Sequence, residues 1–416
     1  SATPELFLDA TGKALDFISA SQNARAVGVP SEVALFYTLH QKHGKLPWAK
    51  LLTPAISIAT HGFALSPRLY GLLYSEESTL VKIAEFKKLY FTPQGKLKPV
   101  GSNVINLDYA AALTRIMHNP DDFYRGQLAK DIVNTINEHA GGHMYNPSDL
   151  KNYKVIINSP ICSWYRNRYK ICSSPPSSSG GVTLEELLLI YAHVYTPASL
   201  NDSQWLYYFL EASKLAYADR NQYLADPDFV KQPVTGLLDK HYIAARAKLI
   251  QSRALATPVA PGMPKGADED YMGDVNPKRH GTTSLAIVDK DGNAITMTVT
   301  IEHQFGSHIF VDGFLLNNEL TDFSFESTVN GRPIANRVQA FKRPRSSIAP
   351  TMVFDDKGAL KIVAGSPGGS AIICYVAKNL LLMLDFKVDP LTAVSYGNLC
   401  ATNEDPIIET GSNLIS

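Results

Sequence analysis

The sequence predicts an α+β protein, helix-rich in its first part and strand-rich in its last. Apolar residues recur at helical spacing from residue 1 to about 155, and sharply alternating strands begin after Gly281. Between them, from about 254 to 281, proline and glycine replace large apolar residues, as in an exposed, poorly packed segment. The main boundary therefore falls at Gly281/Thr282, giving a first region of residues 1–281 and a second of 282–416.

The elements follow in order. SEVALFYTLHQKHG (31–44) and PWAKLLTPAISIATHGF (47–63) carry helical apolar spacing, and Gly141-Gly142 breaks the helical run. ICSWYRNRYKIC (161–172) alternates like a hairpin, with Cys162 and Cys172 symmetric about Asn167. That symmetry makes the two cysteines candidates for a cross-strand disulfide. SSPPSSSGG (173–181) reads as a loop, followed by a helix through LEELLLIYAHVY and another over about 206–225 that ends at the ADPDF turn.

Composition narrows the function. A chain of 416 residues with 45% hydrophobic and 10% aromatic residues can bury a proper core. Its 39 basic residues balance 39 acidic ones, so no global field favours nucleic acid or an anionic membrane, and a small or peptide-like ligand is expected. No apolar run approaches the ~20 residues of a membrane span. The sequence opens at Ser1 without a basic or apolar leader, so it is expected to start after any export signal or never to have had one. Four cysteines and eleven histidines show neither a CxxC pair nor an HExxH helix, so neither a metal nor another cofactor is expected.

The strands TTSLAIV and AITMTVTI are joined by Asp289-Lys290-Asp291-Gly292-Asn293, which has short-hairpin turn chemistry. Centring the turn on Asp291 pairs Thr282 with Thr300. Thr282, Ser284 and Ala286 then share a face with Thr300, Thr298 and Thr296, and the other face is apolar. A slip of one residue would destroy this segregation, which fixes the register. Taken alone the hairpin reads as structural, since threonine is a good strand former. The glycine just before Thr282 and the downstream GSPGGS run (365–370) point to chemistry.

Long motifs along the chain carry a resemblance. They include AVGVPSEVALF (26–36), HGKLPWAKLLTPAISIA (43–59), PPSSSGG (175–181), LAYADRNQYLADPDF (215–229), TTSLAIVDKDGNAI (282–295), FLLNNELTDFS (314–324), RPRSSIAPT (343–351) and GSPGGS. In this order they resemble the γ-glutamyltranspeptidase (glutathione hydrolase) family of N-terminal-nucleophile hydrolases. The resemblance implies a four-layer αββα sandwich and a precursor that cuts itself between Gly281 and Thr282 into a large and a small subunit. Thr282 would then be the nucleophile, with its freed α-amino group, of ordinary pKa about 7.7–8.0, as the adjacent base. Thr300 matches the threonine that hydrogen-bonds the nucleophile, and Gly368 and Gly369 match the backbone amides that hold the oxyanion. Glu302, Glu319 and Asp322 match the positions that bind the α-amino group of a γ-glutamyl donor, and Ser346 and Ser347 those that bind its α-carboxylate.

The implied reaction passes a γ-glutamyl group from glutathione or another γ-glutamyl compound, through a Thr282 ester, to water or an amino-acid or peptide acceptor. The implied assembly is a heterodimer of the chain's own fragments, periplasmic or secreted. Alternatives are an uncleaved, inactive homologue serving as a binding or structural protein, and a poly-γ-glutamate depolymerase or β-lactam acylase of the same family. A serine hydrolase of another fold ranks below these, because no GxSxG elbow occurs.

There are departures from the family pattern. The arginine that pairs with the donor α-carboxylate lies upstream of Ser1 in the family, and the chain reads as truncated at both ends. Position 284 is serine where many members have histidine, and Glu302 stands where some have asparagine. Arg345 replaces a leucine and is expected to place positive charge beside the carboxylate site. The stretch from Asp322 to Arg343 is shorter than in lid-bearing members, which implies an open site.

Overall fold

The computed structural model describes residues 2–197, 199–274, 281–412 and 414. It divides into two compact units, one of residues 17–157 with 304–319, the other of 1–16, 158–303 and 320–416.

The first unit is helical. Its main helices are α1 (Glu32–His43), α2 (Trp48–His61), α3 (Leu107–His118) and α4 (Gln127–Ala140). The first two match the segments read as helices. Asn106 caps α3 by accepting from the Tyr109 N–H. Leu128, Ile132, Val133 and Ile136 form a buried stripe along α4, which stops at Gly141 in the left-handed conformation. Ile309, Val311 and Leu316 complete this core from 304–319, so a segment distant in sequence belongs to this unit.

The second unit is built around a sheet. Strands β1 (Ile161–Tyr165) and β2 (Tyr169–Ser173) form a hairpin that turns at Arg166 and Asn167, both at positive φ. Cys162 faces Cys172 in the register, with the sulfurs 2.09 Å apart. Helices α5 (Gly180–Val194), α6 (Gln204–Tyr223) and α7 (Lys240–Ala247) follow. The described residues from 254 to 274 are irregular, about half of them exposed and nearly all the rest partly buried; the end of that expected segment, 275–280, lies outside the described residues.

Strands β3 (Thr283–Val288) and β4 (Ala294–Val299) then pair as a hairpin, and β5 (Thr351–Phe354) and β6 (Leu360–Ala364) as another, before helix α8 (Ile372–Leu384). The sheet order is β6-β5-β2-β1, antiparallel throughout, with Thr351 opposite Ser173 and Phe354 opposite Lys170. Strands from either side of Gly281 thus share one ladder. Leu184, Leu187 and Tyr191 of α5, Phe209 and Leu215 of α6, and Ile373, Val376 and Leu380 of α8 form the core with Ile171 and Val353 of the sheet. Helix α5 is buried on nearly every side, taking Glu185 and Glu186 into the core with its leucines. Its Gly180-Gly181 start is dictated by close approach, since a Cβ at either would lie about 2 Å from the Ile348 or Ser174 carbonyl oxygen. A second disulfide, Cys374–Cys400, ties α8 to the strand Leu399–Cys400.

The threonine hairpin has the expected register, Thr283 with Val299 through Ile287 with Ile295. Its burial is less expected. The hydroxyl face is the inner one: Thr298 is buried and Thr296 Oγ1 donates to the Ala364 carbonyl at 2.9 Å. Ile287 and Ile295 are 55% and 37% exposed on the apolar side. The hydroxyls serve as donors to neighbouring backbone, a demand that alternation in the sequence does not show.

Candidate active site

The hairpin sets the first part of the site. Thr282 precedes β3 and Thr300 follows β4, so strand pairing brings their side chains together. Thr282 Oγ1 donates to Thr300 Oγ1 at 3.3 Å, and Thr300 Oγ1 donates to the Gly281 carbonyl at 2.6 Å. Thr300 also accepts from the Glu302 N–H at 2.8 Å. A hydroxyl has one proton and two lone pairs, so one donation and two acceptances use Thr300 fully. The result is a chain from the Thr282 hydroxyl to the carbonyl oxygen of the preceding peptide bond.

Thr282, Thr300, Glu302, Asp322, Ser346, Ser347, Ile348, Gly369, Ser370 and Ile372 line one cavity of about 30 Å³. That is room for a water molecule or two, narrower than the open site expected from the short 322–343 stretch. Glu302 sits at positive φ, buried, with its carboxylate accepting from Thr321 Oγ1 at 3.2 Å. Asp322 ends the short turn Glu319–Asp322. Glu319 itself belongs to the other unit, where its N–H donates to Asn317 Oδ1 at 3.0 Å.

Gly368 and Gly369 have φ of 142° and 57°, a left-handed pair that turns the chain into α8. A Cβ at Gly368 would lie 2.7 Å from the Tyr375 ring, so both backbone and space require glycine there. The carbonyl of Ser370 accepts from the Tyr217 hydroxyl of α6, which anchors this loop from beneath.

The serine pair is held from α6 and from the loop that precedes α5. Ser347 Oγ accepts from Arg220 Nη2 at 2.7 Å. The Ser346 carbonyl accepts from the Ser179 N–H at 2.8 Å and from Ser179 Oγ at 2.7 Å. Arg220, Tyr217 and Ser179 were not singled out from the sequence, although PPSSSGG and LAYADRNQYLADPDF contain them. The available signal was charge and hydroxyls within otherwise buried helical segments.

Arg345 departs from expectation. It is fully buried, pairs with Asp274 at 2.7 Å, and donates to the carbonyls of Arg220, Asn221 and Leu224. Its charge is neutralised by Asp274 and its donors close the end of α6, so it is not a cation added to the carboxylate site. Among the described residues, no helix is long and apolar enough to cross a membrane.

Comparison with solved structures defines the class first. The chain superposes on cephalosporin acylase from Bacillus halodurans with a TM-score of 0.80, covering 94% of this chain and 69% of that one at 24% identity. The fold is the α+β fold of the N-terminal-nucleophile hydrolases. Helicobacter pylori γ-glutamyltranspeptidase aligns at 31% identity with a TM-score of 0.56, covering 61% of this chain and 72% of that one. In sequence, the glutathione hydrolase proenzyme of Bacillus subtilis strain 168 is 36% identical over 99% of this chain and 68% of its own length. That of Escherichia coli K12 is 33% identical over 95% of this chain and 67% of its own length. The sequence model of the γ-glutamyltranspeptidase family matches residues 1–411; the chain belongs to that family and is an enzyme of the γ-glutamyltransferase type.

Proposed function

We propose that this chain cuts its own Gly281–Thr282 bond and then uses Thr282 to transfer γ-glutamyl groups. The observation that carries the reading is the Thr300 hydroxyl, which accepts from Thr282 and donates to the Gly281 carbonyl. As Thr282 Oγ1 attacks that carbonyl carbon, negative charge develops on the oxygen that Thr300 already contacts. The hydroxyl proton passes to the peptide nitrogen as collapse breaks the C–N bond, leaving Gly281 esterified to Thr282 Oγ1 and a free Thr282 amine. Water hydrolyses the ester, releasing the Gly281 carboxylate. The uncut cavity has no room for a γ-glutamyl group, so processing would open the site as well as create the base.

In turnover, the Thr282 amine takes the hydroxyl proton while Oγ1 attacks the γ-amide carbon of glutathione or another γ-glutamyl compound. The amide N–H groups of Gly368 and Gly369 hold the oxyanion, the leaving amine takes the proton, and a γ-glutamyl ester remains. Water or an amino-acid or peptide amine then takes the acyl group. Glu302, Glu319 and Asp322 complement the donor's α-ammonium, and Ser346 and Ser347 its α-carboxylate. Residues up to 281 and from 282 onward would form a heterodimer of two subunits. A periplasmic or secreted location accords with both disulfides, Cys162–Cys172 and Cys374–Cys400.

Intact mass and N-terminal sequencing of the purified chain beside Thr282→Ala test the reading. Two fragments, one beginning at Thr282, are expected from the native sequence and none from the variant. A single intact chain in both would refute it and favour an uncleaved binding protein.

A further inference from the structure

Arg220 is a charge without an evident employer. It lies on α6 with 2% of its surface exposed, and its three hydrogen bonds go to neutral oxygens: Ser179 Oγ at 2.8 Å, Asn221 Oδ1 at 3.0 Å and Ser347 Oγ at 2.7 Å. Among the described residues no carboxylate forms an ion pair with it, in contrast to Arg345, Arg343 and Arg246 of the same unit. Burial, and then the neighbouring Arg345 charge, push its pKa down to about 9, which still leaves it a cation at neutral pH. The Asp274 and Asp322 carboxylates offset part of this at longer range, but the groups in contact with the guanidinium are neutral dipoles, and a buried cation so held is costly to fold around. It is a structural liability unless an anion joins it.

It reaches the Thr282 cavity through the serine pair. Arg220 occupies a lone pair of Ser347 Oγ, and since Ser347 is a cavity-lining hydroxyl, its proton is left to donate toward whatever occupies the cavity. Ser179 passes the same constraint on, accepting from Arg220 and donating to the Ser346 carbonyl. Arg220 thus fixes both serines, one directly and one through Ser179. Tyr217, one turn earlier and 5.6 Å beneath the guanidinium, holds Ser370 of the oxyanion loop, so one face of α6 sets the spacing between the two walls.

We propose that Arg220 is the fixed positive charge behind the Ser346–Ser347 wall, a positioning residue that aims the Ser347 proton at a carboxylate and makes the site select donors bearing one. The inference rests on the proposed γ-glutamyl reading. Without Arg220, two serine hydroxyls could bind a neutral amide nearly as well as a carboxylate. With it, the carboxylate gains a charge-assisted hydrogen bond.

The test compares a γ-glutamyl anilide with its α-carboxamide counterpart on the processed enzyme and on Arg220→Gln. Arg220→Gln should raise KM for the carboxylate donor roughly 10- to 100-fold, the worth of a hydrogen bond to a charged group. It should leave kcat within a few-fold and KM for the carboxamide nearly as before. Arg220→Lys should recover part of the selectivity. Equal losses on both donors, or a fall in kcat alone, would overturn the proposal. Should Arg220→Gln not fold, a double-mutant cycle of Arg220→Lys with Ser347→Ala decides: non-additive effects on KM support the link, additive effects reject it. If the native enzyme turns over neither donor, the γ-glutamyl reading fails, and calorimetric binding of L-glutamate judges Arg220 separately. Binding weakened 10- to 100-fold in Arg220→Gln supports it; equal binding, or none to the native protein, rejects it.

Discussion

Replacing Thr300 with valine keeps the strand-end shape and removes one oxygen. That oxygen donates to the Gly281 carbonyl at 2.6 Å, accepts the Thr282 hydroxyl at 3.3 Å and accepts the Glu302 N–H at 2.8 Å. The first contact strengthens as the carbonyl becomes an oxyanion; loss of one such donor slows reaction by about 10² to 10³. The third is a ground-state contact, and leaving the Glu302 N–H without its acceptor costs about 1–3 kcal/mol of stability. Thr300 is only half-buried, so the lower end applies and the fold should survive. Thr300→Val should therefore be a folded chain that processes about 100-fold or more slowly. Freshly synthesised chain sampled over time on denaturing gels gives the first-order rate, with Thr300→Ser, which keeps the hydroxyl, expected within about ten-fold of native. Fragment formation at the native rate in Thr300→Val would remove Thr300 from the processing step.

The remaining predictions concern buried charge. Arg345→Leu leaves Asp274 buried without its partner and should cost about 3–5 kcal/mol, read as a lower denaturation midpoint; a higher KM with unchanged stability would instead restore the idea of Arg345 as a carboxylate-binding cation. Glu185 on α5 is fully buried, and burial, offset in part by the Ser163 hydroxyl, pushes its pKa up from 4.5 to about 8. Its folded pKa lies above the unfolded one, so its contribution is intact below about pH 4.5 and is lost as pH rises toward 8. Glu185→Gln should accordingly gain on the native chain, by a few kcal/mol in order of magnitude, between urea titrations at pH 5 and pH 8. A pH-independent difference between the two would show that Glu185 does not carry the proton.

The parts legible in the sequence were those encoded by short-range periodicity. A period of two around Asp291 fixes which threonine faces which, and symmetry about Asn167 puts Cys162 opposite Cys172. Partners chosen by tertiary packing leave no such mark. Cys374 meets Cys400 across 26 residues, and Arg220 meets Ser347 across 127. Arg345 showed its charge in the sequence but not its neutraliser, Asp274. Glu319 and Asp322, neighbours in NNELTDF, fall in different units because Ile309, Val311 and Leu316 draw the chain before them into the helical core. The hydroxyl face of the threonine hairpin was legible as a face, and which way it pointed was not.

The ladder between β2 and β5 crosses the bond proposed to open. Four residue pairs, from Thr351 with Ser173 to Phe354 with Lys170, join chain made before Gly281 to chain made after it. Cutting the bond would cost the native state no strand pairing, yet would change the unfolded state from one molecule to two. Refolding would become a second-order encounter, and the thermal midpoint of the cut protein would rise with its concentration while that of the uncut chain would not. A protein of this design folds once as a single chain and afterwards keeps its shape through interactions it can no longer easily rebuild.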